Sequence, residues 1–463
     1  MKSIYQAIIL STLMLISNNI FAQGELNAED LGEIRSSLVF DDDTRALMNA
    51  ISSNDIRKLA VNRENLGRVN EYFSDKVDIR GITDQKSSGR CWLFTGLNVL
   101  RPKVIQKYNM KEFEFSQTYG FFWDQLEKSN LFLEGIIETA SLDIKDRKVE
   151  WLLKHPIGDG GQWTGVVDIL GKYGAVPASV MPESQNSSNT SVMSRFLRRK
   201  LREDALVLRQ LHADGKTDIL LREEKLKMLG EIYRMLVLCL GEPPAEFDWQ
   251  YEDMDGNVSE MKKYTPMSFY DEIVGVDLGE YVMFMNDPTR PYYKLYEIEY
   301  DRHMLEGGNW KYINLPIDDI KTFAKASIQG NEAMYFSCDV GKQLEREKGM
   351  LDLNNFAYDA LFGVDFSMDK EGRIKTFDSG SSHGMSLVGV NVLPDGSIDK
   401  WLLENSWGKT GHQGFLIMTD EWFREYMFRL VINKKYIDAG TLEILDTEPV
   451  FLPPWDPMFA PEE

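Results

Sequence analysis

Residues 84–102 read DQKSSGRCWLFTGLNVLRP and place a cysteine where a polar, glycine-containing turn becomes an apolar segment. From Cys91 onward, apolar residues recur at three- and four-residue spacing, which predicts a helix that begins at this cysteine. We expect Pro102 to kink this helix or to end its first section. Unpaired N–H groups at a helix N-terminus lower the pKa of a thiol. A buried, inert cysteine is the alternative, and this stretch alone does not decide between the two.

Two later stretches supply the partners that a reactive thiol needs. SSHGMSLVGVNV places His383 at the head of a β-rich run, and KWLLENSWGKTGHQGF places Asn405 at the end of another predicted strand. A thiol nucleophile requires a base, and an asparagine side chain can hold an imidazole in the useful tautomer. Upstream of the cysteine, the Gln85 amide could donate to a developing oxyanion beside the Cys91 N–H. His383 alone would more often be structural, but together these residues form a candidate catalytic constellation.

The chain is helix-rich first and strand-rich later, which is an α+β pattern. Residues 28–72 are predicted to form helices and turns, and residues 191–241 a helical hairpin. Its two apolar faces are predicted to carry Phe196, Leu201, Ala205 and Leu208, and Leu226, Met228, Leu229, Ile232 and Leu236. After Tyr281, short aromatic and β-branched runs predict strands in YYKLYEIEY, EAMYFSCDV, GMSLVGVNV, DKWLLENSW and GFLIMTD.

The N-terminus has the order of a secretory signal peptide. Lys2 precedes an apolar run from Ala7 to Ile16, and the small residue Ala22 marks the expected cleavage site. Because of this order we expect an exported protein, in a periplasm or outside the cell. The alternative is that residues 1–22 form a buried N-terminal helix. No later stretch reaches the ~18 apolar residues of a membrane span, so no membrane partner is expected.

The net charge and the placement of cysteines and histidines limit which partners and ligands are expected. The net charge of -21, from 52 basic and 73 acidic residues, opposes binding to nucleic acid and to anionic membranes. Cys239 and Cys338 lie in apolar settings, where a buried, inert thiol is expected, and three cysteines do not make a disulfide framework. The five histidines are scattered without metal-ligand spacing. We expect neither a metal nor a cofactor.

Three blocks, QKSSGRCW, SSHGMSLVGV and ENSWG, resemble the active-site blocks of papain-like cysteine peptidases. The closer resemblance is to the bleomycin hydrolase and bacterial aminopeptidase C branch, and it extends through DGGQW, YGAVPASVMPES, CDVG, TDEWF and FLPPWDPM. It implies a papain-like two-lobed α+β fold with a helical insertion. Residues 23–463 would then form one catalytic unit. Its parts would be a helical lobe led by Cys91, the insertion at about 185–265, a β lobe at about 281–445 and a C-terminal arm at about 446–463.

The resemblance also implies a function and roles for single residues. It implies a cysteine aminopeptidase acting on peptides through a thioester acyl-enzyme, and a homo-oligomer that is hexameric in the family. The implied roles are Cys91 as nucleophile, His383 as base, Asn405 as orienting residue and Gln85 as oxyanion donor. In the resembling branch the C-terminal arm lies in the cleft, which points to Glu463 as a ligand for the substrate's amino group.

Two other functions remain open on the sequence. Residues 380–384, Gly-Ser-Ser-His-Gly, match G-x-S-x-G, so a serine hydrolase could use Ser382 with Asp395 or Asp399 and His412. That motif requires a helix directly after the serine, and MSLVGVNVLPDG is poor helix material. The other alternative is a catalytically silent papain-like protein that binds peptides.

Overall fold

The structure is a computed structural model, and it describes residues 24–65, 67 and 70–459. The chain divides into two compact units, one that ends at Val61 and one that begins at Asn62. The first unit contains α1 (Ala28–Ser36), α2 (Asp42–Ser53) and α3 (Ile56–Ala60). Each of these helices is capped by an Asn or Asp side chain that accepts hydrogen bonds from first-turn N–H groups. The predicted signal peptide, residues 1–22, lies outside the described residues.

The second unit carries the remaining elements. Its helices are α4 (Cys91–Lys107), α5 (Gln117–Glu138), α6 (Arg147–Lys154), α7 (Trp163–Tyr173), α8 (Gln185–Ser188), α9 (Ser191–Ala213), α10 (Asp218–Leu240), α11 (Pro266–Phe269), α12 (Ile317–Gln329), α13 (Tyr358–Phe362), α14 (Lys370–Lys375), α15 (Thr410–Gln413), α16 (Asp420–Tyr426) and α17 (Ala439–Leu442). Its strands are β1 (Asp75–Lys76), β2 (Phe247–Trp249), β3 (Lys262–Tyr264), β4 (Tyr281–Met285), β5 (Lys294–Ile298), β6 (Lys311–Asn314), β7 (Met334–Cys338), β8 (Leu344–Glu345), β9 (Met350–Leu351), β10 (His383–Val392), β11 (Ile398–Glu404), β12 (Phe415–Thr419), β13 (Met427–Asn433) and β14 (Val450–Leu452). None of the helices in the described part of the chain has the length and apolar content needed to cross a membrane.

The sheet topology brings His383 close to Asn405. In the described part of the chain, twelve strands form one sheet, in which β10 lies between β7 and β11. Strand β10 is antiparallel to both neighbours, so its first residue lies beside the last residues of β7 and β11. His383 pairs with Cys338, and Ser386 pairs with Glu404. Asn405, the residue after β11, is therefore placed beside His383.

Two separate cores give the second unit its two lobes. The larger core consists mainly of side chains from α4, α5, α7, α9 and α10, with a few from neighbouring strands. The other core lies on the sheet and includes Phe336, Leu387 and Trp401. Helix α4 packs against β10 and β7. The α+β arrangement expected from the sequence is confirmed, and each predicted strand is present.

The predicted helical hairpin is formed by α9 and α10, with two residues misassigned. Leu201, Ile232 and Leu236 are buried as expected. Phe196 and Leu226, however, are 50% and 70% exposed. The buried stripe of α9 instead runs through Met193, Leu197, Leu201, Ala205 and Leu208. Phe196 precedes Leu197 by one residue, and one residue turns the helix by about 100°, away from that stripe.

The sequence suggested that Pro102 kinks helix α4 or ends its first section. The helix does not end there but continues to Lys107. A proline inside a helix removes one backbone hydrogen bond. The residues around it are almost fully buried, including Leu100, Val104 and Ile105. Packing of both turns against the core outweighs the loss of that bond.

Candidate active site

A cleft of about 1290 Å³ in the second unit is lined by residues of both lobes. Cys91 and Gln85 line it from the helical side, and His383 and Trp407 line it from the sheet side. Asn405 is buried behind His383. The four residues that the sequence nominated for catalysis are thus brought to one place.

The turn before Cys91 is held by a buried arginine. The Arg90 side chain is fully buried, and its two terminal nitrogens donate to the Glu183 carboxylate at 2.9 and 2.7 Å. Its Nε atom donates to Ser88 Oγ at 3.0 Å. A two-pronged arginine–carboxylate bond is geometrically specific. It therefore fixes the point at which α4 begins and the place of its first residue, Cys91.

The Cys91 thiol lies close to strand β7. Burial raises the pKa of Tyr335, and the negative charge of a Cys91 thiolate acts in the same direction. Burial also raises the pKa of Cys338, followed by the negative charges of Asp339 and of a Cys91 thiolate. Cys338 is the cross-strand partner of His383. The nucleophile candidate and the base candidate therefore share one end of β7 and β10.

The hydrogen bonds of Asn405 define the tautomer of His383. His383 Nε2 lies 2.8 Å from Asn405 Oδ1, and the same oxygen accepts the Ser406 N–H at 2.8 Å. Because that atom is an acceptor, Nε2 must carry the proton, and Nδ1 is left with a lone pair. The Trp407 ring stacks on the imidazole with centroids 4.7 Å apart. A fixed, half-enclosed imidazole with a bare Nδ1 can accept a proton from a thiol.

Burial keeps this imidazole neutral. It lowers the pKa of His383 to about 4, and the positive charge of Arg346 acts in the same direction, against the opposing hydrogen bond to Asn405. A neighbouring thiolate would raise the pKa of the imidazole, because an opposite charge favours the protonated form. A proton transfer from Cys91 to His383 would therefore create a charge pair in which each ion stabilises the other.

This burial predicts a pH dependence of stability. In a Cys91→Ala background, where no thiolate is present, the unfolded chain binds a proton at His383 below about pH 6.5, and the folded chain binds it only near pH 4. The free energy of unfolding should therefore fall by ~3 kcal/mol as the pH drops through this window. Urea titrations at several pH values, compared with the Cys91→Ala/His383→Ala protein, measure the difference in slope. Equal slopes for the two proteins would contradict the prediction.

Gln85 is held by the segment that carries Asn405. Its backbone N–H donates to the Ser406 carbonyl at 2.8 Å, and its Oε1 accepts the Ser406 hydroxyl at 2.6 Å. Its Nε2 donates one hydrogen to the Ser88 carbonyl at 2.7 Å. An amide nitrogen has two hydrogens, so one donor remains on a side chain whose orientation is already fixed. Gln85 is thus available as a rigid donor at the edge of the cleft.

The sequence model of the Peptidase C1-like family matches residues 25–459. The chain belongs to this family. Aminopeptidase C of Streptococcus thermophilus is 40% identical over 416 residues, which span 89% of this chain and 94% of that protein. Bleomycin hydrolase of Homo sapiens is 39% identical over 448 residues, or 94% of this chain and 98% of that protein. The crystal structure of PepW from Lactobacillus rhamnosis HN001 matches with a TM-score of 0.91 and 38% identity, covering 95% of this chain and 99% of that chain.

These relationships confirm the papain-like fold and the enzyme class. The protein is a cysteine-type aminopeptidase of the Peptidase C1-like family. The serine hydrolase alternative does not fit the structure, because Ser382 is followed directly by strand β10 and not by a helix. His412, its third member, pairs with Glu71 through Nδ1 at 3.0 Å. The Ser382 hydroxyl instead accepts the Val340 N–H at 3.1 Å.

Of the other residues considered in the sequence analysis, Cys239 and Cys338 lie in the described part of the chain. Burial raises the pKa of both Cys239 and Cys338, but only Cys338 is fully buried, and Cys239 is half-buried. Glu463 lies outside the described residues. Among the described residues, no three His, Cys, Asp or Glu side chains are grouped closely enough to hold a metal ion.

One buried ion pair that connects the two lobes had no sequence signal. Arg101, on α4, is paired with Glu404, the last residue of β11, and both side chains are almost fully buried. Arg101 also donates to Asn98 Oδ1 at 3.0 Å and to the Gly81 carbonyl at 3.1 Å. Since Glu404 directly precedes Asn405, this pair ties the helix that begins at Cys91 to the strand that leads to Asn405.

Gly384 permits the close approach of the two lobes beside His383. A Cβ atom at this position would lie 3.1 Å from Thr95 Oγ1 on α4 and 3.2 Å from the Tyr335 hydroxyl. Few side chains fit a gap that narrow. Glycine here lets α4, and with it Cys91, lie directly against the start of β10.

Proposed function

We propose that the protein is an exported cysteine aminopeptidase that hydrolyses N-terminal residues from peptides, with Cys91 as nucleophile and His383 as base. The observation that carries the assignment is the Asn405–His383 hydrogen bond, which leaves Nδ1 bare in the cleft that Cys91 also lines. A mechanism-based cysteine-peptidase label, applied to purified protein and mapped by mass spectrometry, tests it. Labelling at Cys91 together with loss of peptide turnover supports the proposal. An unlabelled Cys91 would favour the peptide-binding alternative.

The proposed reaction has two halves. Cys91 Sγ gives its proton to His383 Nδ1 and attacks the carbonyl carbon of the first peptide bond. The C–N bond breaks, the leaving amine takes the proton from His383, and a thioester remains. Water then gives a proton to His383 and attacks the thioester. The C–S bond breaks, and Cys91 regains its proton as the amino acid leaves.

Gln85 is proposed to donate its remaining Nε2 hydrogen to the oxyanion of each tetrahedral intermediate. Gln85→Ala should lower kcat by ~10²–10³-fold and leave KM nearly unchanged, because the oxyanion exists only near the transition state. Steady-state kinetics on an N-terminal amide substrate measures both constants. A change in KM alone would remove this role from Gln85.

The C-terminal arm is proposed to recognise the free amino group of the substrate. Strand β14 pairs in parallel with β5, and Asp456 forms an ion pair with Arg290 at 2.7 Å. Phe459 packs edge-on against Trp310 with centroids 5.1 Å apart and lines the cleft. The arm is thus anchored up to the point where the last four residues begin. Those residues include Glu463, whose side-chain carboxylate suits an ammonium group.

The aromatic side chains of the C-terminal arm contribute unequally to its anchoring. Arg147 packs over the Trp455 ring at 4.6 Å, as expected of an anchored tail. Phe451 is 65% exposed and does not pin the arm. Residues Pro457–Phe459 form a short 3-10 turn.

Deleting residues 459–463 should weaken the preference for unblocked N-termini, because the carboxylates that would meet the substrate's ammonium group are removed. The ratio of kcat/KM for a free peptide to that for its N-acetylated form measures this preference. The single variant Glu463→Gln tests the side-chain charge of Glu463 alone. An unchanged ratio in the truncated enzyme would make the arm a packing element only.

Export and assembly are also part of the proposal. The order of charged, apolar and small residues over 1–22 supports removal of a signal peptide, and N-terminal sequencing of protein from the producing cells tests it. Exposed apolar side chains on α9 and α10 support assembly into a homo-oligomer, hexameric by family resemblance. They are Val192, Phe196, Leu206, Leu226 and Leu238. Light scattering of the mature protein measures the mass.

A further inference from the structure

Lys128, Asp124 and His303 form a buried cluster, here called the Lys128 cluster, that the proposed reaction does not use. Lys128 Nζ donates to Asp124 Oδ2 at 2.9 Å, and His303 Nδ1 lies 2.5 Å from Asp124 Oδ1. The side chains of Asp124 and His303 are 0% and 3% exposed. Burial acts to raise the pKa of Asp124, but Lys128 and His303 outweigh it and hold the pKa below its usual value. The carboxylate is therefore ionised, and His303 donates to it.

The cluster binds the loop that forms one wall of the cleft. Lys128 Nζ also donates to the carbonyls of Gly158 and Gly160, at 3.2 and 2.6 Å. An ammonium group has three N–H donors, and these two carbonyls and Asp124 use all of them. The carbonyl between the two, that of Asp159, accepts the Trp92 Nε1–H at 2.8 Å. Three consecutive carbonyls of the wall are thus bound by side chains of the helical lobe.

His303 supports the same wall by packing. A Cβ atom at Gly161 or at Gly165 would lie 2.3 Å from the Cε1 atom of His303. The imidazole therefore lies directly against the backbone of both glycines. It also contacts Trp92 edge-on, with ring centroids 4.7 Å apart. The position of the imidazole sets how far the wall stands from the first turn of α4.

The wall presents backbone donors at the cleft. Gly160 and Gly161 both line it. Within the described part of the chain, no group accepts a hydrogen bond from the N–H of either glycine. The Gly160 carbonyl is bound by Lys128, and the N–H groups of both glycines can donate to the carbonyl oxygens of an extended peptide.

We propose that the Lys128 cluster is a positioning unit for the peptide substrate. It holds residues 158–161 at the distance from Cys91 at which a bound peptide presents its scissile carbonyl to the thiol. It acts through the wall of the cleft and not through the chemistry of the thiol. The inference rests on the proposed peptide hydrolysis in this cleft.

The test is Lys128→Met, read by two rates. The kcat/KM for an N-terminal amide substrate should fall by ~10²-fold, because a displacement of about 1 Å at a positioning contact costs that much. The rate at which iodoacetamide alkylates Cys91, mapped by mass spectrometry, should not change, since this small reagent does not need the wall. Equal falls in both rates would show that Lys128 acts on the thiol, which would overturn the inference.

Lys225→Met is the matched control. Lys225, on α10, forms an ion pair at 2.6 Å with Glu134 of α5, the helix that carries Lys128. The Lys225 side chain is 13% exposed, against 14% for Lys128. It does not line the cleft. Its removal should leave kcat/KM unchanged. A loss equal to that of Lys128→Met would mean that any buried ion pair on α5 has the effect, and the inference would be wrong.

A second variant distinguishes a loss of wall positioning from a loss of stability caused by an unpaired buried charge. Lys128→Met/Asp124→Asn removes the carboxylate that Lys128→Met leaves without its cation. It should recover thermal stability while kcat/KM stays low, because the Lys128 bonds to both carbonyls are still absent. The Gly158 carbonyl keeps the Gln125 Nε2 donor at 3.0 Å, but the Gly160 carbonyl keeps none within the described part of the chain. Recovery of both properties would reduce the cluster to a structural ion pair. Failure of the proposed function itself would show separately, as peptide turnover by enzyme fully alkylated at Cys91.

Discussion

Replacing Cys91 by alanine should lower kcat for N-terminal amide substrates by ~10⁴-fold or more, because the bond-forming atom is removed. Folding should be little affected. Cys91 is only half-buried, and the start of α4 is held by the Arg90–Glu183 pair. Initial rates over a range of substrate concentrations give kcat, and circular dichroism and thermal melting confirm that the variant is folded.

The other two cysteines provide the controls. Cys239→Ser alters a half-buried thiol that does not line the cleft, and Cys338→Ser alters a fully buried one beside His383. Both should retain the reaction, with a stability loss of ~1–3 kcal/mol where the new hydroxyl finds no partner. Turnover by Cys91→Ala at the rate of the parent enzyme would end the cysteine mechanism. A mechanism-based label found on Ser382 would point to a serine nucleophile.

Replacing His383 by alanine should have the second largest effect, up to a ~10⁴-fold loss of kcat, because the proposed base that takes the thiol proton is removed. The structure positions the imidazole from three sides. Asn405 binds Nε2 at 2.8 Å, Trp407 stacks on the ring, and Cys338 is its cross-strand partner. The pre-steady-state rate of thioester formation measures this loss directly.

Asn405→Ala should be milder than His383→Ala. The base remains, and Trp407 still covers it, but the oxygen that selects the Nε2–H tautomer is lost. The Ser406 N–H loses the same acceptor, so some loss of stability is expected as well. A larger fall in kcat for Asn405→Ala than for His383→Ala would mean that the asparagine takes part in the reaction itself.

Local sequence patterns predicted the elements that carry the candidate site. The helix starting at Cys91 follows from an apolar periodicity that begins directly after a polar turn. The strands β10 and β11 follow from β-branched and aromatic runs that end at glycine, proline and asparagine. These signals act over a few residues, so one stretch of sequence contains all of each signal.

Patterns failed where neighbouring stretches compete for the same surface. Phe196 and Leu226 fit the predicted apolar faces, but both are exposed. Packing in the helical lobe buries Leu197 of α9 and Met228 of α10 instead. Pro102 is a local signal to stop a helix, and burial of the turns on both sides overrides it. In each case tertiary packing outweighs a local preference.

The sequence by itself determined which residues form the candidate site and which elements carry them. They are a cysteine at a helix start, and a histidine and an asparagine at adjacent ends of two strands. Only the tertiary structure decided which buried contacts hold these elements together. The pairs Arg101–Glu404 and Asp124–His303 join residues far apart in the chain, and both are buried. From sequence alone a charged residue is predicted to be exposed unless its partner is known, because a charge is rarely buried without a partner. That partner is chosen by the fold and not by the neighbouring sequence.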